Sequence, residues 1–414
     1  MVFTPRLQAF LLFLLISTVL IIRDNVESTS YCTPDSKYYL EVSKNILSGL
    51  GPVGPKAFEY NESKTKIFAL YDSTSFGHPE TYQKEYFAIW PLGYPICIVV
   101  ISYLSGLEPV WASKLVNILL LALDFYLIYL LFGNFHSLSL FYFCSFTMLE
   151  ITSYTWSENL FIPFFLLLIL SLKYISETDF ISLKNILLLA TAMAGMCLAR
   201  YASVIFFLSP IIMMVWYFRK KEYSKTKSIF FGLLISSFIL GLYLFNNYTH
   251  TGYLTGMPRV NTQENTLYNL TIAFFMGIFH QIHIIKQFRF SGTVDFLLYL
   301  VLTLIQVCLM VYVGYHLMRT KIVKGTTVQT KLLLYSGFLY LLFLIYMTST
   351  STIDPFDYRT LLPFSFPIAL ALLSEMEERL YLSKKYKLIT AVKIFFLLSL
   401  FLNLPKKYLV DLIF

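Results

Sequence analysis

The chain predicts an all-α polytopic membrane protein of about eleven transmembrane helices, with a large first external loop containing interfacial helices. Three observations carry that expectation. Of the 414 residues, 57% are hydrophobic and 18% aromatic while only 14% are charged, a balance that no ordinary soluble domain has. Apolar runs long enough to cross about 30 Å of hydrocarbon, which takes roughly 20 helical residues, recur along the whole length. The basic residues behind the net charge of +8 fall in short runs between those segments, as orientation signals do. The charge therefore points to membrane lipids as surroundings and excludes nucleic acid as a partner.

The runs fall near 7–22, 111–132, 138–156, 159–173, 185–199, 202–218, 229–248, 293–317, 332–348, 360–374 and 388–404. The first could pass for a signal-peptide core, but Arg23-Asp24-Asn25 lacks the small-residue cleavage pattern, and a retained anchor helix is expected. Phe87 to Leu107 is apolar too, yet Trp90-Pro91-Leu92-Gly93-Tyr94-Pro95 makes a poor start for a straight span. If that run does not cross, the basic loops after Arg219, after Arg319 and around Lys384-Lys385 share the side of the N-terminus, which the positive-inside rule assigns to the cytoplasm. It is therefore expected to be interfacial or re-entrant. The N-terminus is then inside and the C-terminus outside. The loop 23–110, the turns at Glu158 and at Arg200-Tyr201, and the loops 249–292 and 349–359 all meet on the external face. No internal repeat or linker divides the chain, so 1–414 is expected to be one membrane domain. Of the five cysteines only Cys32 lies in a long polar loop, so there is neither a disulfide framework nor a metal-type CxxC.

Chemistry on such a chain is expected where charges meet apolar runs. Asp35 precedes a stretch in which Tyr39, Val42, Ile46 and Leu47 recur at helical spacing, a helix along the bilayer surface with the acid at its N-terminal end. It is either an N-cap or a functional carboxylate. Glu158 stands where a span begins; it either favours the helix macrodipole or is functional, since ionisable groups against a span are costly. Arg200 and Arg359 are either snorkelling cations or a planar fork for phosphate. Asp124 and Glu150, inside apolar runs, are expected to be polar groups at helix interfaces. His78, His280 and His283 could ligate metal, but none pairs with acids at a ligand spacing.

The order of these elements resembles the GT-C glycosyltransferases, and within them the enzymes related to lipid A aminoarabinose transferases and rhizobial lipopolysaccharide glycosyltransferases. The resemblance rests on Asp35 with Tyr38-Tyr39, Asn45 and Gly49-Leu50-Gly51 in the first loop, on Trp90-Pro91-Leu92-Gly93-Tyr94-Pro95, on Ser157-Glu158 before Phe161, on Arg200-Tyr201, and on Tyr358-Arg359 before Leu361-Leu362-Pro363. Leu92 stands where those enzymes carry a second proline, and Tyr358-Arg359 is inverted relative to their order. The resemblance implies an inverting transfer of a sugar from a polyprenyl-phosphate donor to a lipid, glycan or protein acceptor, on the external or periplasmic side of a bacterial inner membrane. It implies Asp35 and Glu158 as the catalytic acids, and Arg200, Tyr201, Arg359, Tyr39, Lys84 and Glu85 as contacts to substrate. The cofactor stays unknown; a divalent cation beside Asp35 is compatible, and no ligand spacing specifies one. The alternative from another class is a transporter or flippase of a lipid-linked sugar. Such proteins usually show internal repeats and broken midplane helices, which are not evident here.

Overall fold

The computed structural model describes residues 5–27, 33–55, 58–60, 66–68, 84–133, 137–255, 267–282, 293–319, 327–350 and 358–404. Helix α1 (Pro5–Glu27) leads to α2 (Pro34–Leu47), to the short strands β1 (Val53–Pro55), β2 (Phe58–Tyr60), β3 (Lys66–Phe68) and β4 (Lys84–Tyr86), and to α3 (Gly93–Ser105) and α4 (Pro109–Phe132). Then come α5 (Ser137–Phe141), a 3-10 turn (Tyr142–Cys144), α6 (Phe146–Ser153), α7 (Glu158–Glu177), α8 (Leu183–Ala199), a 3-10 stretch (Tyr201–Phe207), α9 (Leu208–Arg219) and α10 (Tyr223–Thr251). The helices α11 (Leu267–Ile282), α12 (Thr293–Arg319), α13 (Val328–Thr350), α14 (Leu362–Leu382) and α15 (Tyr386–Leu402) follow.

Among the described residues, seven helical stretches are long and apolar enough to cross a bilayer: Arg6–Arg23, Pro109–Phe132, Glu158–Glu177, Tyr201–Arg219, Tyr223–Thr251, Leu300–Arg319 and Val328–Thr348. The protein is an all-α polytopic membrane protein, as its composition predicts. The remaining expected spans differ for local reasons. Helices α8 and α15 have 17 residues each, about 26 Å at 1.5 Å per residue and a little short of the hydrocarbon core. Helix α14 carries Glu375, Glu377, Glu378 and Arg379 towards its end. The run 138–156 is not one helix: Ser145 adopts an extended backbone, ψ 152°, and splits it into α5, the 3-10 turn and α6. Helix α11 falls inside the expected loop 249–292. The first loop also holds two antiparallel strand pairs, β1 with β4 and β2 with β3, that hydrophobic periodicity did not announce.

Helix α3 has 13 residues, about 20 Å, too short to span. Its Trp-Pro leader brings backbone against backbone: a Cβ on Gly93 would lie 2.5 Å from the carbonyl oxygen of Leu198 at the end of α8. Gly93→Ala is therefore expected to destabilise the protein by about 1–3 kcal/mol, because backbone cannot yield as a side chain can. A thermal-unfolding midpoint in detergent equal to the wild type would show that the contact relaxes freely.

Helix α2 is enclosed more fully than a surface helix with one apolar face. Tyr38, Tyr39, Val42, Ser43 and Asn45 are all buried, while Leu47, expected on the apolar face, is exposed. The cover comes from α3, β1 and α4, which pack around it. At the centre of the bundle, α7 contacts α4, α8, α10 and α13, and Phe161, Ile162, Phe165, Leu166 and Ile169 are 0% exposed. Its first residue is Glu158, so the acid is mounted on the most enclosed of the candidate spans among the described residues. A buried ion pair between Arg23 of α1 and Glu150 of α6, with Arg23 Nη1 donating to the Asn403 carbonyl at 3.1 Å, joins three chain segments at the same end of the bundle. Glu150 is thus an interface group, as expected, and Asp124 is buried on α4.

Candidate functional site

Four elements converge on one cluster of charges. Asp35 lies in the first turn of α2, Glu158 opens α7, Arg200 is the extended residue joining α8 to the following 3-10 stretch, and Arg359 lies in the turn before α14. Arg359 Nη2 is 2.8 Å from Asp35 Oδ2, and its Nε donates to Glu158 Oε1 at 3.0 Å. Arg200 Nη1 donates to the same Glu158 Oε1 at 2.5 Å. Two carboxylates thus meet two guanidiniums, and the local charge sums to zero. The Glu158 side chain is 1% exposed, whereas those of Asp35 and Arg359 are each 21% exposed. Glu158 is therefore the buried hub, and the Asp35–Arg359 pair, with Arg200 at 18% exposed, is the part that a ligand can reach.

Asp35 is not the helix cap. Thr33 caps α2, its side chain accepting from the Ser36 N–H, and Pro34 occupies the first helical position. An acid one residue further in still favours the macrodipole, and its charge is matched by Arg359. Thr33 also accepts from Trp156 Nε1 at 2.8 Å, and the Trp156 ring lies beneath the Arg359 guanidinium at 4.0 Å, a cation–π contact strengthened by exclusion of water. Trp156 is the site residue that sequence reasoning missed. Its position two residues before Glu158 was the only signal.

The segment carrying Trp156 and Glu158 is held by buried amides. Asn159 Nδ2 shares its hydrogens among the carbonyls of Ile151, Tyr154 and Trp156 at 2.8–3.1 Å. Asn117 Nδ2 donates to the carbonyls of Thr152 and Tyr154 at 2.9 and 2.8 Å, and its oxygen accepts from the Tyr94 hydroxyl at 2.6 Å. The Trp-Pro segment thereby acts through position: Tyr94 fixes Asn117, and Tyr39 packs edge-on against both Trp90 and Tyr94.

Two of the remaining expected contacts, Tyr39 and Tyr201, serve as supports beside the charge cluster. Tyr39 is 1% exposed and sits under the site as a support, within reach of the Ser157 side chain. Burial first, and then the charges of Asp35 and Glu158, push its phenol well above the usual tyrosine range, so it remains neutral. The Tyr201 hydroxyl donates to the Ala88 carbonyl at 2.8 Å and receives Asn247 Nδ2 at 3.0 Å, tying α10 to the Trp-Pro segment. Lys84 and Glu85 are on β4, opposite Pro55 and Gly54 of β1. The side chains of Lys84 and His280, and residues His78 and His283, lie outside the described residues. Burial alone would lower Arg359, but Glu158 and Asp35 outweigh it and raise it further, so the guanidinium stays charged. No group of three His, Cys, Asp or Glu among the described residues could hold a metal. Asp35 and Glu158 are already matched by cations, and a divalent ion would have to displace Arg359, so this donor set does not fit a metal.

Beside the cluster opens an apolar cleft of about 530 Å³ between α11, α12, α14 and α15. Gln281 on its wall donates to the Tyr358 carbonyl at 2.7 Å, one residue from Arg359. The cleft runs down α14 from Phe364 to Met376, about 18 Å along the helix.

No protein-family model matches the chain, and no curated protein matches it. Among solved structures it is similar to the crystal structure of ArnT from Cupriavidus metallidurans bound to undecaprenyl phosphate, at 11% identity and a TM-score of 0.49, over 90% of this chain and 60% of that one. The chain thus spans about 60% of the length of that structure's chain.

Proposed function

We propose that the protein is an inverting membrane glycosyltransferase of the GT-C kind, moving a sugar from a polyprenyl-phosphate donor to a lipid, glycan or protein acceptor on the external face of the membrane. The observation that carries this reading is the half-open Asp35–Arg359 pair beside an apolar cleft long enough for an isoprenoid chain. In this reading the lipid tail lies in the cleft and the phosphate takes the open edge of Arg359, which releases Asp35. Asp35 then accepts the proton of the acceptor hydroxyl or amine as that atom attacks the anomeric carbon. The bond from that carbon to the phosphate oxygen breaks, and the bonding electrons leave with polyprenyl phosphate, whose charge Arg359 and Arg200 neutralise. Glu158 touches neither reactant; it holds the two guanidiniums in place.

The test is transfer of radiolabelled sugar from a panel of polyprenyl-phosphate donors by purified protein, beside Asp35→Asn. A well-folded Asp35→Asn protein is expected to lose about 10²–10⁴-fold in rate, the range of a general base. An unchanged rate would remove Asp35 from the chemistry. No transfer with any donor, together with movement of the donor across liposomes, would replace the enzyme by a flippase.

A further inference from the structure

We propose that a second groove, between α1 and α4 at the opposite end of the bundle from the charge cluster, binds an anionic phospholipid, with an acyl chain in the groove and the phosphate on Arg6. The groove measures about 550 Å³ and is walled by Ala9, Phe10 and Phe13 of α1 and by Ala122, Phe125 and Tyr126 of α4. Phe10 is 56% and Tyr126 58% exposed, so its rim opens sideways to whatever surrounds the bundle. That surrounding is lipid, because Arg6–Arg23 and Pro109–Phe132 are both candidate spans. Arg6 and Arg23 bracket the first of these spans, about 25 Å apart along the helix. Since Arg23 belongs to the end that carries the charge cluster, Arg6 stands at headgroup height in the other leaflet.

The mouth of this groove is basic. Arg6 Nη2 donates to the Tyr129 hydroxyl at 3.1 Å, and its guanidinium lies 5.9 Å from the same ring. Arg6 thus pairs with a phenol, which fixes the side chain without neutralising it, and a guanidinium held this way presents its other N–H groups to a phosphate. Lys173 of α7 adds a cation at this end, donating to the Leu131 carbonyl at 3.1 Å. Glu377 of α14 accepts from the hydroxyl of Ser137, a residue of the groove lining, at 2.6 Å and from the Leu138 N–H at 2.7 Å; the acid is buried and faces its own cation, Lys393. Apolar walls ending in a cation that is held by a neutral phenol match a phospholipid, with its chain in the hydrocarbon and its phosphate at the surface. A soluble anion would leave the walls unused, and a zwitterionic lipid would offset the attraction with its own ammonium.

The experiment is native mass spectrometry of delipidated protein offered phosphatidylglycerol or phosphatidylcholine with identical acyl chains. Wild-type protein is expected to retain the anionic lipid at least three-fold more. Arg6→Gln, at an exposed position, is expected to remove that preference, and Ala122→Trp, which fills the groove, to lower retention of both lipids. Arg319→Gln, which removes a different terminal arginine, is expected to leave the preference intact. The proposal is overturned if the wild type shows no preference, if Arg6→Gln keeps it, or if Arg319→Gln loses it equally.

Discussion

Glu158→Gln is expected to stop sugar transfer and to lower thermal stability together. The carboxylate is 1% exposed and serves Arg200 and Arg359 at once, so an amide there leaves two partly buried guanidiniums facing each other without their common counter-charge. Breaking a buried ion pair by removing one partner costs about 3–5 kcal/mol, because the remaining charge stays desolvated. The activity loss should be about 10²-fold or more, since the cations proposed to receive the leaving phosphate would no longer be held at fixed positions. Adding Arg200→Met to Glu158→Gln separates the two effects. The double variant should recover much of the melting temperature, having lost the unpaired cation, while its transfer rate stays low. If Glu158→Gln melts and turns over like the wild type, the cluster is not held by this acid.

The second large effect is expected at Arg23 and Glu150, whose side chains are each 3% exposed. Glu150→Ala should destabilise by about 3–5 kcal/mol, as should Arg23→Ala, because each strands a buried charge. The combined replacement Arg23→Met with Glu150→Leu should be near wild-type stability, since removing both charges removes both desolvation costs. Reversible unfolding in mixed micelles, arranged as a double-mutant cycle, measures the coupling directly. Additive single effects would mean that the two side chains do not stabilise each other. The pair also ties α1 to α6, which runs directly into the segment that carries Trp156, so a drop in transfer is expected to accompany the loss of stability.

These two clusters differ in how far the sequence disclosed them. Asp35, Glu158, Arg200 and Arg359 each stood out singly, as a charge where an apolar run begins or ends. Glu150 stood out as an acid within such a run, but Arg23 read only as the flank of an anchor helix. Nothing in the string joined Arg23 to Glu150, 127 positions away, or Arg359 to Glu158, 201 positions away. The local reading of Asp35 as a cap was also open until Thr33 was seen in that place. Trp156 resembled any interfacial aromatic until Arg359 lay over its face.

By itself, the sequence determined the class of solvent, the positions of most spans and the break that Trp90-Pro91 puts into the run Phe87–Leu107. These follow from apolar length, charge content and proline, which are properties of a short window of chain and act through the bilayer. It did not show the break at Ser145, the helix α11 or the enclosure of α2, because in each case neighbouring elements decide what the window does. Only the tertiary structure decided which charges neutralise one another and which of them stays reachable. In a low-dielectric bundle a charge is tolerated where a partner lies within about 3–4 Å, and that distance is set by the packing of helices distant in sequence rather than by any spacing along it.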